Sequence, residues 1–170
     1  MNVGRKEHGK KEPKTNAMRI LEKEKIRFEI HRYECEEFTD GVAIADMLGQ
    51  PYDKVFKTLV TEGKSRQYFV FVIPIAEELD LKKAAKAVGE KSVEMIHVKD
   101  INKVTGYIRG GCTAIGMKKD YCTVVDESVK NLETLIVSGG KRGTQVELNP
   151  ADYLRACKGS TADLVKDKRG

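Results

Sequence analysis

The chain has 170 residues, of which 40% are hydrophobic and 34% are charged. This length suffices for one domain with a complete core and is short for two. No apolar run approaches the roughly 20 residues that a membrane-spanning helix needs, and no signal peptide is evident, so we expect a cytoplasmic protein without a membrane segment.

The formal charge of +5 indicates an acidic partner such as nucleic acid. The excess lies in residues 1–14 and 158–170, while the segment between them is formally neutral. Any site for a polyanion is therefore a local patch on the folded body. We predict a disordered basic tail over residues 1–14 and a second tail over residues 165–170.

Cysteine and histidine spacing excludes the common metal motifs. The four cysteines form no C-x-x-C pair, and the three histidines form neither H-x-H nor H-E-x-x-H. We therefore expect reduced thiols, with no metal and no cofactor.

Helix and strand signals begin at Thr15, a helix N-cap whose apolar positions Ala17, Ile20 and Leu21 follow, and the alternation of residues 28–33 then predicts a strand. The further predicted elements, in chain order, are a helix between Thr39 or Asp40 and Gly49, a hairpin of strands 55–61 and 67–73, a helix from Asp80 to Gly89, a strand over 92–96, a short helix over 100–105, strands over 107–109 and 121–125, a hairpin of strands 134–137 and 144–148, and a helix after Asn149. This order lacks the steady β-α-β alternation of a doubly wound sheet. It predicts a mixed α/β single domain with a largely antiparallel, barrel-like sheet surrounded by helices.

Lys57 is the first candidate functional residue. Alternation places its ammonium on the same strand face as Val55 and Leu59. Burying an ammonium without a partner is costly, so a lysine on an inward face usually holds an anion or a reacting group. The alternative is an edge strand whose lysine faces water.

Two glycine-rich segments carry most of the remaining signal. The segment 110–116 has glycines that allow successive N–H groups to face a concavity and hold a developing oxyanion, although a bulge without a ligand fits equally well. The segment 138–143 combines glycines with Lys141 and Arg142 and suits either a phosphate or ribose edge or a charged hairpin tip. Neither segment matches a dinucleotide or P-loop motif. Cys112 is a weak candidate nucleophile, because no base is related to it in sequence.

Four segments, 56–60, 81–86, 105–116 and 137–143, together resemble the YbaK family of free-standing editing proteins, which deacylate Cys-tRNA(Pro) and Cys-tRNA(Cys). The resemblance runs over residues 15–164. It implies an editing domain that acts in trans on the acceptor end of tRNA(Pro), with prolyl-tRNA synthetase as its partner.

The resemblance also implies roles for individual residues. Lys57 matches the lysine that the family requires, and Gly110 and Gly111 match the glycine pair whose backbone faces the aminoacyl carbonyl. The implied substrate-binding residues are Tyr33, Thr58, Cys112, Thr113, Ala114, Ser138, Gly139, Lys141 and Gln145. The implied tRNA-binding residues are Lys82, Lys83, Lys86, Lys118, Lys119 and Arg142.

Two positions depart from the family pattern. Ala114 stands where the family commonly has proline, and Gln145 stands at a pocket position that is sometimes acidic. We therefore leave open a wider preference among small amino acids. In the family chemistry the substrate's own thiol attacks its ester carbonyl, which explains the missing catalytic triad. The alternatives are a non-catalytic module that binds a nucleotide or RNA end, and a thiol enzyme that uses Cys112.

Overall fold

A computed structural model describes residues 13–35 and 37–167. Most of the predicted N-terminal tail, residues 1–12, and the last three residues lie outside the described part. Across the described part, the α-helices are α1 Asn16–Lys23, α2 Gly41–Leu48, α3 Leu81–Val88, α4 Ile101–Thr105 and α5 Pro150–Cys157. The strands are β1 Phe28–Arg32, β2 Phe56–Gly63, β3 Tyr68–Pro74, β4 Val93–Met95, β5 Cys122–Asp126, β6 Leu135–Lys141, β7 Thr144–Leu148 and β8 Gly159–Ala162.

Local capping chemistry explains why the helices begin where the sequence predicts. The Thr15 hydroxyl accepts from Met18 N–H, the Asp80 carboxylate accepts from the amides of Lys82 and Lys83, and Asn149 caps α5 in the same way. Each cap satisfies donors that the first turn of a helix leaves unpaired. These predicted starts are confirmed.

Two sheets form the framework. One is antiparallel, in the order β1-β7-β6, and the other is mixed, in the order β4-β2-β3-β5-β8. A parallel bridge between Val55 and Ile136 joins them. The mixed α/β class is confirmed, but the strands of the described residues do not close into a barrel.

The main core lies between the sheets and the helices α1 and α5, and a second core lies under α3. Leu21, Phe71, Leu148 and Tyr153 are fully buried. Burial of such side chains stabilises the fold by about 1.5–3 kcal/mol each and holds the loops between the strands in fixed positions.

Two predicted features differ in the structure, and one strand was not predicted. Residues 107–109 are not a strand, because Gly106 ends α4 in a left-handed conformation and Ile108 C=O then accepts from Gly111 N–H in a turn. The segment 138–141 belongs to β6 with a register shift, so only residues 142–143 connect it to β7. The sequence also gave no indication of β8, which pairs in parallel with β5.

The final described residues are attached to the body. Val165 bridges Leu79, and Lys166 donates to Glu78 through both its backbone N–H and its ammonium. No helix in the described part of the chain has the length and apolar character needed to cross a bilayer.

Candidate active site

A gap along one edge of β2 creates a cavity lined by several of the predicted site residues. The strand β3 covers the other edge, and residues 61–63 pair with β4. The bridge from Val55 to β6 lies on the same edge as β4, since β3 occupies the opposite one. Between these two neighbours, a cavity of about 350 Å³ opens beside residues 56–60. Its size lies in the range of small-molecule sites.

The cavity brings together part of the predicted site. Its lining includes Tyr33, Lys57, Thr58, Gly110, Cys112, Ser138 and Gln145. It does not include Gly111, Thr113, Ala114, Gly139 or Lys141, which lie beside or beneath it in the two glycine segments. Seven predicted residues from distant parts of the sequence therefore line the same cavity.

Lys57 lies on the cavity wall and is half-buried. Burial lowers the pKa of its ammonium, and the nearby carboxylates of Asp40, Glu78 and Glu77 partly oppose this shift. The Lys57 ammonium makes no hydrogen bond or ion pair with another residue of the segments 13–35 and 37–167. A half-buried cation without a direct partner suits an anionic or electron-rich ligand.

The two glycine segments touch each other directly. A Cβ at Gly111 would lie 2.7 Å from Lys141 Cα and 2.9 Å from its carbonyl carbon, so only glycine allows this backbone approach. A hydrogen bond of 2.8 Å from Arg142 Nε to Arg109 C=O adds a second connection. The Thr15 hydroxyl donates to Gly139 C=O at 2.6 Å, which fixes the outer side of the second segment.

The amide groups of the first segment are not equivalent. Gly111 N–H donates to Ile108 C=O at 2.9 Å, so it is occupied within the turn. Gly110 and Cys112 both line the cavity, and their N–H groups have no acceptor among the described residues. In this segment, the cavity-lining residues whose N–H groups lack an acceptor are therefore Gly110 and Cys112, whereas that of Gly111 is occupied.

The residues after Gly111 are enclosed. Burial raises the pKa of the Cys112 thiol to about 11, with a smaller opposing effect of Thr105. Thr113 is fully buried, and its hydroxyl accepts from Ile115 N–H. Ala114 packs in the main core and not on the cavity wall, so its effect on amino-acid preference would be indirect.

Gln145 is held by a reciprocal amide pair. Gln50 Nε2 donates to Gln145 Oε1 at 2.8 Å, and Gln145 Nε2 donates to Gln50 Oε1 at 3.2 Å. Ser138 Oγ accepts from Gly140 N–H, which supports the register shift in β6. Tyr33 N–H donates to Gly143 C=O, and burial raises the pKa of its phenol. These contacts fix three walls of the cavity.

The predicted tRNA-binding cations lie outside the cavity lining. Lys82 and Lys86 are exposed on α3, whereas Lys83 forms ion pairs with Asp163 and Asp167 that raise its pKa. Lys118 and Lys119 are exposed beyond the first glycine segment. The structure thus leaves four of these lysines exposed, and it places the Arg142 side chain beside Gly110 at the edge of the cavity.

One cluster could in principle hold a metal ion. Ligand atoms of Glu29, His31 and Glu147 lie within 4.8 Å of one another. Glu147, however, already pairs at 2.7 Å with both His31 and Lys54. Glu147 is therefore already held by a hydrogen bond to His31 and an ion pair to Lys54, which join β1, β7 and the segment before β2.

Two cavity residues escaped the sequence analysis. The Arg109 guanidinium carbon lies 3.9 Å from the centroid of the Phe38 ring, and both side chains line the cavity. No motif links them, because Phe38 precedes α2 and Arg109 follows α4. Only an aromatic residue before a helix start and an arginine beside a glycine pair could have suggested them.

Comparison with known proteins agrees with this arrangement. The aminoacyl-tRNA editing domain family matches residues 36–156, a range that includes most of the cavity wall. The chain belongs to this family. EbsC of Enterococcus faecalis, provisionally named a Cys-tRNA(Pro)/Cys-tRNA(Cys) deacylase, is 45% identical over 157 residues, which are 92% of this chain and 96% of EbsC.

Two further matches extend the comparison. The proline–tRNA ligase of Fervidobacterium nodosum is 30% identical over 96 residues, which are 56% of this chain and 16% of the ligase. A crystal structure provisionally described as a trans-editing enzyme for prolyl tRNA synthetase superposes with a TM-score of 0.72 at 21% identity. The superposition covers 82% of this chain and 87% of the other. This likeness confirms the fold.

Proposed function

We propose that this protein removes cysteine from mischarged tRNA(Pro), with Cys-tRNA(Cys) as a second substrate to be tested. The observation that carries the proposal is Lys57, a half-buried ammonium that faces a cavity also lined by Gly110 and Ser138. The identity to EbsC over nearly the whole chain supports the choice of substrate.

The reaction needs no nucleophile from the protein. The sulfur of the substrate cysteine attacks its own ester carbonyl, a C–S bond forms, and the C–O bond to the ribose breaks. The proton lost by the thiol ends on the departing 3′ oxygen, and water then opens the cyclic thioester. An aminoacyl ester is already activated, so correct placement and charge stabilisation supply most of what the barrier requires.

The cavity residues would divide the work. The N–H groups of Gly110 and Cys112 are the available donors for the carbonyl oxygen as its negative charge develops. Lys57 would bind the phosphate or ribose of the terminal adenosine, since it lacks a direct partner among the described residues. Tyr33, Thr58, Ser138 and Gln145 would form the walls that exclude larger amino acids.

Binding of the rest of the tRNA would rely on surface cations. The exposed Lys82, Lys86, Lys118 and Lys119 would contact phosphates of the acceptor stem, which gives affinity that depends on salt and little on sequence. Prolyl-tRNA synthetase would then select tRNA(Pro) and present it in trans. The similarity to a proline–tRNA ligase supports this partner.

Deacylation of Cys-tRNA(Pro) by the purified protein tests the proposal. We expect turnover well above the rate in buffer and a loss of at least tenfold in Lys57→Ala. Lys64→Ala, which removes an exposed lysine from the turn after β2, is the matched control. Equal rates for wild type and Lys57→Ala would remove Lys57 from the mechanism. No turnover by either protein would favour a non-catalytic module that binds an RNA end.

A thiol mechanism through Cys112 is disfavoured by the burial that raises the pKa of its thiol to about 11. A broader preference remains testable through Ala-tRNA(Pro) and Ser-tRNA. Undetectable turnover of both would restrict the enzyme to cysteine.

A further inference from the structure

Two side chains at the cavity mouth have no role in the mechanism above. Phe38 lies just before α2 and Arg109 just before Gly110, and the guanidinium carbon of Arg109 stands 3.9 Å from the Phe38 ring centroid. Both residues are exposed and both line the cavity. Their contact brings together two connections that are far apart in sequence.

The mouth is unusually apolar for an exposed surface. Phe38, Met95 and Val98 all line the cavity and are 38%, 48% and 53% exposed, respectively. Leaving such side chains in water at the entrance of a cavity is characteristic of a ligand-binding surface. We refer to these three residues as the apolar rim.

The chemistry beside the apolar rim indicates what binds there. Arg109 is exposed, and Arg142 Nε donates to its carbonyl oxygen, so two cationic side chains lie beside the aromatic ring. Aromatic rings and guanidinium planes stack on nucleobases, and the same positive charges attract the adjoining phosphates. A single-stranded RNA end combines a flat apolar base with negative charge, which matches both features.

We propose that Phe38 and Arg109 form a stacking platform for the terminal base of the aminoacylated RNA. This inference rests on the proposed function, because it assumes that the ester lies beside Gly110. The position of the platform agrees with that assumption. Arg109 directly precedes Gly110, and a Cβ at Gly110 would lie 3.2 Å from the Phe38 ring. A base on the platform therefore lies next to the donors for the ester carbonyl.

Binding of two short RNAs tests the platform. The probes are the trinucleotide CCA and the same trinucleotide with an abasic third position, measured by competition against a fluorescent RNA. For wild type we expect CCA to bind about tenfold more tightly, since stacking of one base contributes roughly 1–3 kcal/mol. Phe38→Leu should reduce this ratio to about one, whereas Phe38→Tyr should retain it.

Ile108→Ala is a matched control. Ile108 is 47% exposed and adjoins Arg109, but its side chain does not line the cavity. In Ile108→Ala, the ratio of CCA affinity to abasic RNA affinity should equal that of wild type. A ratio in Phe38→Leu that stays near the wild-type value would overturn the platform. The platform would also be overturned if Phe38→Leu bound both RNAs as wild type does but no longer bound purified prolyl-tRNA synthetase. That result would make the apolar rim a protein interface.

Deacylation kinetics separate this inference from the proposed function. We expect Phe38→Leu to raise KM for Cys-tRNA(Pro) about tenfold while kcat changes little. Turnover with an unchanged KM would refute the platform and leave the function intact. Absence of turnover in every protein, with the base-dependent ratio still lost in Phe38→Leu, would refute the deacylase and retain the platform.

Discussion

Gly111→Ala should lower both folding stability and catalysis, because the contact between the two glycine segments has no room for a side chain. The added Cβ would lie 2.7 Å from Lys141 Cα and 3.0 Å from Arg142 N, whereas ordinary contacts begin at 3.4 Å. Both neighbours are backbone atoms, so no side-chain rotation relieves the overlap. The segments must separate by several tenths of an ångström.

The size of the effect follows from this displacement. Overpacking of a tight contact costs about 1–3 kcal/mol of folding stability. A shift approaching 1 Å near a reacting group can cost about 100-fold in rate. We therefore expect kcat/KM for Cys-tRNA(Pro) to fall about 30- to 100-fold, since Gly110 and Cys112 flank the displaced residue.

Urea unfolding and single-turnover deacylation measure the two effects separately. Gly89→Ala is the control: Gly89 ends α3 with φ +73°, and nothing lies within 4 Å of its missing Cβ. The left-handed conformation makes this change cost about 1 kcal/mol, but it should leave kcat/KM unchanged. If Gly111→Ala is destabilised but keeps kcat/KM within threefold of wild type, then close contact between the two glycine segments is not needed to position the catalytic groups.

Three further predictions concern ionisable groups. Burial lowers the pKa of Lys57 below its ordinary 10.5, so KM should rise with pH before that value is reached, and Lys57→Arg should show a flat KM. Glu147 has its pKa lowered to about 2, with burial opposing and the bonds from Lys54, Thr134 and His31 outweighing it. Its contribution, about 2–3 kcal/mol, is complete above pH 4.5 and lost as pH falls towards 2, so acid titration of stability should be shallower in Glu147→Gln. Cys112→Ser should keep kcat within about threefold, and iodoacetamide should modify the exposed Cys122 well before Cys112, since burial raises the Cys112 pKa to about 11. Loss of turnover in Cys112→Ser would instead support a thiol enzyme.

Parts of the candidate site could be predicted where a short local pattern contains a residue type with distinctive chemistry, such as a lysine in an apolar strand or a glycine-rich segment. Lys57 on a strand and the two glycine segments were identified from local sequence, and the structure places Lys57, Gly110 and Ser138 on one cavity. The assignment of donors was not predictable. Whether an N–H group is free depends on the turn it belongs to, and the turn at Ile108 occupies Gly111.

Pairings between distant residues were also beyond the sequence. The reciprocal pair of Gln50 and Gln145 and the stacked pair of Phe38 and Arg109 each join two elements that no motif connects. Sequence periodicity reports which face of an element is apolar, but it does not report which other element covers that face. Strand β8 was missed for the same reason, because its short segment has little alternation of its own.

The amino-acid sequence by itself determined where helices start and stop, since Thr15, Asp80 and Asn149 act on amides only a few residues away. It also determined the family, through motifs kept in order along the chain. Only the tertiary structure decided that β4 and β6 share one edge of β2 and leave a cavity between them. That outcome depends on packing among residues as distant in sequence as Val55 and Ile136, whose contacts form only when the whole core closes.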